Sequence, residues 1–225
     1  MVGEKPGSAL VRMTGISRRF APDTWALRGV SLSLVRGESV ALRGASGSGK
    51  TSLLSILGLL DHQTAGEFIL DDADVSTLSE SARTRERQAG LSFIFQAFHL
   101  VPHLTSLENV ADGLRYARVP RADREERAVE ALHAVGMMHR AHALPNTLSG
   151  GEQQRVAVAR AIARSPKLIL CDEPTGNLDS TNSRAVLECI LNAAELGSCV
   201  VIATHDDDVA SRCDHELVLS DGVVV

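Results

Sequence analysis

The segment Gly44-Ala45-Ser46-Gly47-Ser48-Gly49-Lys50-Thr51 has the spacing G-x-x-x-x-G-K-[ST]. Glycines let successive backbone N–H groups wrap around a phosphate. Lys50 supplies a point charge to the β- and γ-phosphates, and the Thr51 hydroxyl can ligate Mg²⁺. The flanks suit this chemistry, with a strand before the loop and the apolar helix "TSLLSILGLL" after it. A chance glycine-rich turn would not need that context. Two carboxylates, Asp172 and Glu173, end the apolar run "LILCDEP". Ligands of open α/β sheets sit at the carboxyl ends of strands. There Asp172 would hold Mg²⁺, directly or through water, and Glu173 would act as general base or orient an attacking water. The bland alternative is a capped strand end with two solvated acids. His205, in "THD", ends the next apolar run; it could bond a γ-phosphate or a catalytic water, or be a surface histidine. Gln96, after "LSFIF", could contact Mg²⁺ or water, or merely start a loop.

A second phosphate-like signal lies in "NTLSGGEQQRVAVARAIAR" (146–164). Ser149 followed by Glu152 is a capping box, and Val156, Ala159 and Ala163 recur at helical intervals. Gly150 and Gly151 weaken the first turn of that helix. Close approach of an anion to the backbone would explain them, because helix N-termini attract anions.

The elements that must position these groups read as follows. "SLSLV" and "ESVALRG" are strands joined at Arg36-Gly37, a hairpin signal. "GEFILDDADV" (66–75) is a strand pair turning near Asp71-Asp72, and "LSFIF" is a short buried strand. Residues 121–137 form a helix with Val129, Leu132 and Val135 on one face. From about Ala97 to Thr147 the chain is therefore a helical insertion. "KLILCDEP" and "SCVVIATHD" suit parallel strands buried on both faces. "HELVLSDGVVV" is a hairpin with an Asp-Gly turn. The expected fold is an α/β nucleotide-binding core with an antiparallel β edge and a helical sub-domain.

Composition sets the outer bounds. Hydrophobic residues make up 44% of the 225, enough for a substantial core. Net charge is −5, which gives no electrostatic case for nucleic acid as the main partner, and none is expected. Cys171, Cys189, Cys199 and Cys213 show no C-x-x-C pair and no zinc spacing, so they read as reduced, mostly buried thiols of the cytosol. "MVGEKPGSAL" has no apolar leader core, and "LLSILGLL" is too short to span a bilayer. Work at a membrane would require a membrane partner. The chain stops soon after the last hairpin, so no regulatory tail or fused membrane domain is expected.

Together "GASGSGKT", Gln96, "LSGGEQQR", "LILCDEP", "GNLD" and "TH" resemble, in order and spacing, the ATP-binding-cassette ATPases. The resemblance covers nearly the whole chain, and "LSGGEQQR" is its most specific element. It implies a P-loop NTPase (RecA-like) core over about 1–96 and 165–225, with an antiparallel β sub-domain, and an inserted helical sub-domain over about 97–164. It implies ATP and Mg²⁺ as ligands. ATP would be bound by Gly44, Ala45, Ser46, Gly47, Ser48, Gly49, Lys50, Thr51 and Ser52, and Mg²⁺ by Thr51, Gln96 and Asp172. Glu173, His205 and Gln96 would be the catalytic set. Two cassettes would pack head-to-tail around ATP, so that Ser149, Gly150 and Gly151 complete the partner's phosphate site and Asp179 crosses the interface. Phe20 would stack on adenine where tyrosine is usual, with Trp25 as a rival. Cys171 where alanine is common, and Thr51-Ser52 where Ser-Thr is common, remove no needed group.

A narrower likeness, in "FIFQAFHLVPHLTSLENV" and "PTGNLD", is to the small cassettes of lipoprotein release, macrolide efflux and cell division. It implies a homodimer on the inner face of the cell membrane, driving integral membrane permease subunits met by the segment after Gln96. The alternatives are a soluble cassette of DNA repair or translation, a cell-division cassette that signals without transport, and a non-catalytic binding module.

Overall fold

The computed structural model describes residues 9–21 and 23–225. The N-terminal stretch read for a leader peptide lies mostly outside them. Strands β1 (Val11–Ala21) and β2 (Thr24–Leu34) pair antiparallel. β4 (Ala65–Leu70) joins the other side of β1, and β5 (Ala73–Asp74) folds back on β4. The turn between β4 and β5 is the expected one. Asp71 and Asp72 both have positive φ, 50° and 63°, as a two-residue hairpin turn requires.

The hairpin expected at Arg36-Gly37 does not form. β2 stays in the four-stranded sheet, while β3 (Ser39–Arg43) enters a second sheet. Ser39 to Leu42 are all buried, so this strand needs cover on both faces and a neighbour on each side. It finds them in β8 (Cys199–Ala203) and β9 (His215–Ser220), both parallel to it. With β6 (Leu91–Phe95), β7 (Leu168–Asp172) and β10 (Val223–Val224) the order is β10-β9-β3-β8-β7-β6. Only the β9–β10 pair is antiparallel, through the expected Asp221-Gly222 turn.

Alternate residues of the parallel strands feed two cores. Ile169, Cys171, Val200 and Ile202 face a helical layer. Leu168, Leu170, Cys199 and Val201 face the antiparallel sheet and α1 (Lys50–Leu57). The helical layer contains α3 (Ser106–Tyr116), α4 (Arg121–Ala134), α5 (Gly150–Ile162) and α6 (Ser180–Glu195). α4 ends three residues earlier than expected, because Gly136 takes a positive φ of 68°. Its buried face is Ala128, Ala131 and Leu132, then Val135 beyond its end; Val129 is half-buried.

Three helices were not anticipated. α2 (Glu80–Gly90) has no apolar stripe. It is held instead by Arg83, which is buried and donates to the carbonyls of Leu59 and Asp61, and by Arg87, which donates to Leu59 O at 2.6 Å. α6 follows directly from the "GNLD" segment and is capped by Asp179. A short α7 (Asp207–Ser211) follows β8.

Because β3, β8, β7 and β6 are parallel and adjacent in that order, their carboxyl ends share one edge. Along it, at about 4.8 Å per strand, lie the loop after Arg43, then His205, then Asp172 and Glu173, then Gln96.

Candidate functional site

The phosphate-type loop is a tight wrap between β3 and α1. Gly49 has φ 109°, and a side chain there would meet Leu27 Cδ2 at 3.1 Å and crowd Ala26 O more closely still. β2 therefore presses on the loop from outside, and only glycine fits. Lys50 Nζ donates to Gly44 O at 2.6 Å and to Ala45 O at 3.0 Å, which lays the ammonium along the loop. Ser48 is buried, and its Oγ has no partner among the described residues. Thr51 is exposed on the first turn of α1, and Ser52 is half-buried.

The carboxylates sit where β7 ends. Burial pushes the Asp172 carboxyl up, the neighbouring Glu173 carboxylate adds to that, and Lys50 opposes it. Such a group gains from an added cation. Glu173 has φ 46°, an uncommon value for a residue with a side chain. Its N–H donates to Ala203 O at 2.9 Å, and its carbonyl accepts from Gly176 N at 3.1 Å, so both sides of the turn are tied. His205 Nδ1 lies 2.8 Å from Glu173 Oε1. That hydrogen bond first, and then the carboxylate's charge, raise the His205 pKa. The Glu173 side chain is 20% exposed and the His205 ring 77%, so the carboxylate is sheltered and the imidazole is free to move.

Gln96 is tied to the "GNLD" segment. Its Nε2 donates to Asn177 Oδ1 at 3.1 Å, and Asn177 Nδ2 donates to Gln96 O at 3.3 Å. Asn177 was missed in the sequence, where nothing links it to Gln96. Gln154 was also missed. It is fully buried and bonds the carbonyls of Phe95 and Pro174. Its signal was there: it falls three, four and seven residues before Ala157, Val158 and Ala161 on a buried helix face.

The start of α5 stands apart from the loop. The capping box forms: Glu152 Oε2 accepts from Ser149 N at 2.7 Å, and Ser149 Oγ accepts from Glu152 N at 3.3 Å. Near neighbours of this turn are Asn182, Leu178 and Phe98, none in the phosphate loop. Gly151 has a local reason to be glycine, since a Cβ would stand 2.8 Å from Asn182 Cβ and closer to its amide. Gly150 has none of that kind; its nearest contacts would be at 3.6 Å. Asp179 caps α6, accepting from Thr181 N and Asn182 N at 3.0 and 2.9 Å. Those hydrogen bonds, chiefly with Asn182, hold its carboxyl below the usual range. Phe20 is 59% exposed with the Arg18 guanidinium 4.6 Å from its ring centroid; Trp25 is 39% exposed with Arg19 at 5.4 Å. Each aromatic thus lies under an arginine at the surface.

Comparison with known proteins decides the family. Residues 27–176 match the ABC transporter model. This chain belongs to the ABC transporter family. A lipoprotein-releasing system ATP-binding protein, LolD 2 of Caulobacter vibrioides, is 46% identical over 96% of both chains. A macrolide export ATP-binding/permease protein, MacB of Chlorobium phaeobacteroides, is 46% identical over 89% of this chain but only 30% of its own length. The chain thus spans about a third of the MacB relatives it matches. Among solved structures, the dimeric ATP-binding cassette MJ0796 bound to ADP and Pi superposes with a TM-score of 0.84 at 37% identity, covering 95% of this chain and 96% of that one. The fold is that of a P-loop NTPase cassette, and the chain is an ATP-binding subunit of the ABC type that hydrolyses ATP with Mg²⁺.

The residues present fit those ligands. The glycine wrap, Lys50 and the buried Ser48 Oγ suit a polyphosphate. Among the described residues no cluster of three or more His, Cys, Asp or Glu forms a cage for a metal. Mg²⁺ does not need one, since it is commonly held by one carboxylate, a hydroxyl, water and the substrate's own phosphates. Among the described residues no helix is long and apolar enough to cross a membrane. The cassette's relatives are ATP-binding parts of systems that include a permease, and one solved neighbour is a dimer.

Proposed function

We propose that two copies of this cassette close head-to-tail around ATP and drive membrane permease subunits from the inner face of the cell membrane, with no nucleic-acid partner. In this reading 1–96 and 165–225 form the nucleotide-binding core and 97–164 the helical sub-domain. Residues 44–52 hold the phosphates and Phe20 or Trp25 stacks on adenine. Thr51, Asp172 and Gln96 would hold Mg²⁺, which would supply positive charge against that of the phosphates. Glu173 takes the proton of the attacking water as its oxygen bonds the γ-phosphorus and the bond to the bridging oxygen breaks, leaving ADP and phosphate. His205 bonds the γ-phosphate or that water in this reading, which its 2.8 Å contact with Glu173 supports.

One observation carries the dimer reading. The Gly150 and Gly151 N–H groups at the start of α5 donate to nothing among the described residues, and the near neighbours of that turn are Asn182, Leu178 and Phe98, none in the chain's own phosphate loop. A second copy can supply the missing anion. Ser149, Gly150, Gly151 and Asp179 are then residues of the partner's site. The proposed work is mechanical, dimer closure moving a membrane partner; a lipoprotein-releasing system and a macrolide exporter are what the relatives' names give for those proteins.

The test compares two variants. Lys50→Ala should abolish tight ATP binding. Glu173→Gln should bind ATP normally and lose turnover by about a hundredfold to ten-thousandfold, read as phosphate release. Near-normal turnover in Glu173→Gln would remove Glu173 from the base role.

A further inference from the structure

We propose that Gln154 is a positioning residue that couples the partner-facing start of α5 to the backbone carrying Glu173 and Gln96. Its side chain is 0% exposed. Nε2 donates to Pro174 O at 2.7 Å and to Phe95 O at 3.1 Å. Pro174 is the residue after Glu173, and Phe95 is the residue before Gln96. One buried amide therefore holds both strand ends, beside the group proposed to act on the attacking water, Glu173, and one proposed to hold Mg²⁺, Gln96.

The chemistry of the amide fixes its orientation. Both partners are carbonyls, so the NH₂ must face them. Gln154 Oε1 has no partner among the described residues. A buried amide with its acceptor unused costs stability, and an apolar side chain of similar length would fill the same space without that cost. Packing alone does not account for glutamine here; two donors aimed at two strand ends do.

The placement makes this a coupling element. Gln154 is four residues from Gly150, about one helical turn, on the same rigid helix. Glu173 sits at φ 46°, a conformation that persists only where neighbours over-determine it. One of its restraints, Glu173 N to Ala203 O, comes from the sheet. Gln154 supplies another at the next carbonyl, and it comes from α5. A tilt of α5 when its start engages the partner's phosphate is felt at Pro174, and through it at the carboxylate. By contrast the Gln96–Asn177 pair joins the same two segments from the exposed side.

This inference rests on the partner-facing reading of α5, and the experiment separates the two. Gln154→Met keeps the length and removes both donors. ATP affinity, read with a fluorescent ATP analogue on the monomer, should stay within twofold. The kcat should fall tenfold or more, since displacing a catalytic group by an ångström costs on that order or beyond. Gln154→Asn keeps a donor but cannot span both carbonyls, and should fall between. If the methionine variant does not fold, the asparagine variant decides by the same criterion. A folded variant with native kcat overturns the proposal, as does a loss of kcat matched by an equal loss of ATP affinity. If Glu173→Gln does not dimerise on ATP while Gln154→Met loses only kcat, the partner reading has failed and the hold on Glu173 stands.

Discussion

Two helix starts in this cassette are built alike and differ in which of their N–H groups are taken. α3 and α5 each open with a capping box, Thr105 with Glu108 and Ser149 with Glu152, and the bonds are the same to a tenth of an ångström, 2.7 and 3.3 Å. At α3 the two following N–H groups are taken: Ser106 N donates to Ala143 O and Leu107 N to Ala141 O, both at 2.9 Å. That helix end is closed by its own chain. At α5 the corresponding donors belong to Gly150 and Gly151 and have no acceptor among the described residues. Capping satisfies one or two orphan donors and leaves others. Whether those are spent inside the chain or offered outward separates a structural helix start from a binding one.

The largest effect should come from reversing the charge offered at α5. Gly150→Asp puts a carboxylate where the partner's phosphate is expected, and its Cβ would have ordinary contacts at 3.6 Å. Turnover should fall by about a hundredfold, the scale of losing a preorganised donor site. Stability should hold or rise slightly, because an acid suits a helix N-terminus. Phosphate release and a thermal melt read the two separately, and a variant with full turnover would erase the contrast with α3.

Gly151 sharpens the same comparison from inside the molecule. Gly151→Ala drives a methyl into Asn182 and should cost about 1–3 kcal/mol in a denaturant melt. Asn182→Ala in the same chain should recover much of that. No recovery would mean that the strain lies elsewhere.

Removing the caps should give a smaller effect. Thr105→Ala and Ser149→Ala should each cost about 1 kcal/mol of stability, since the boxes match. Only Ser149→Ala should also lower turnover at equal ATP affinity. Equal turnover in both would make the α5 box purely structural.

The smallest effect lies at the catalytic edge. Glu173 raises the His205 pKa, so their pairing stabilises the fold fully below the unfolded histidine value, near 6.5. It is lost as pH rises through the raised folded value. His205 is exposed, so the gain is small. A melting-temperature series from pH 5.5 to 8.5 should show a slightly steeper decline in the native protein than in His205→Asn. An identical slope would mean that the contact carries no stability.

How much of this was legible follows from how local each signal is. "LILCD" and "CVVIA" could be read because a strand buried on both faces is apolar throughout. The same burial in "SVALR" was misread as a hairpin arm, because the gap at Arg36-Gly37 looks like a turn whether the chain folds back or leaves for another sheet. α2 carried no apolar period, since its anchor is a buried arginine on backbone carbonyls. The loop, the carboxylates and the capping box were legible as motifs of contiguous residues. Asn177, the carbonyls that Gln154 holds and the packing reason for Gly151 were not, because each depends on a partner from another part of the chain; only the burial of Gln154 could be read, from its place on the apolar face of α5.

The central claim is that α5 offers its free donors to a second copy. Gel filtration of Glu173→Gln, with and without ATP and with Mg²⁺ omitted and then added, tests it most directly. The account predicts an ATP-dependent shift from monomer to dimer that is absent when Gly150→Asp is added to the same chain. A protein that binds ATP yet stays monomeric, or a double variant that dimerises as well as the single one, would contradict it.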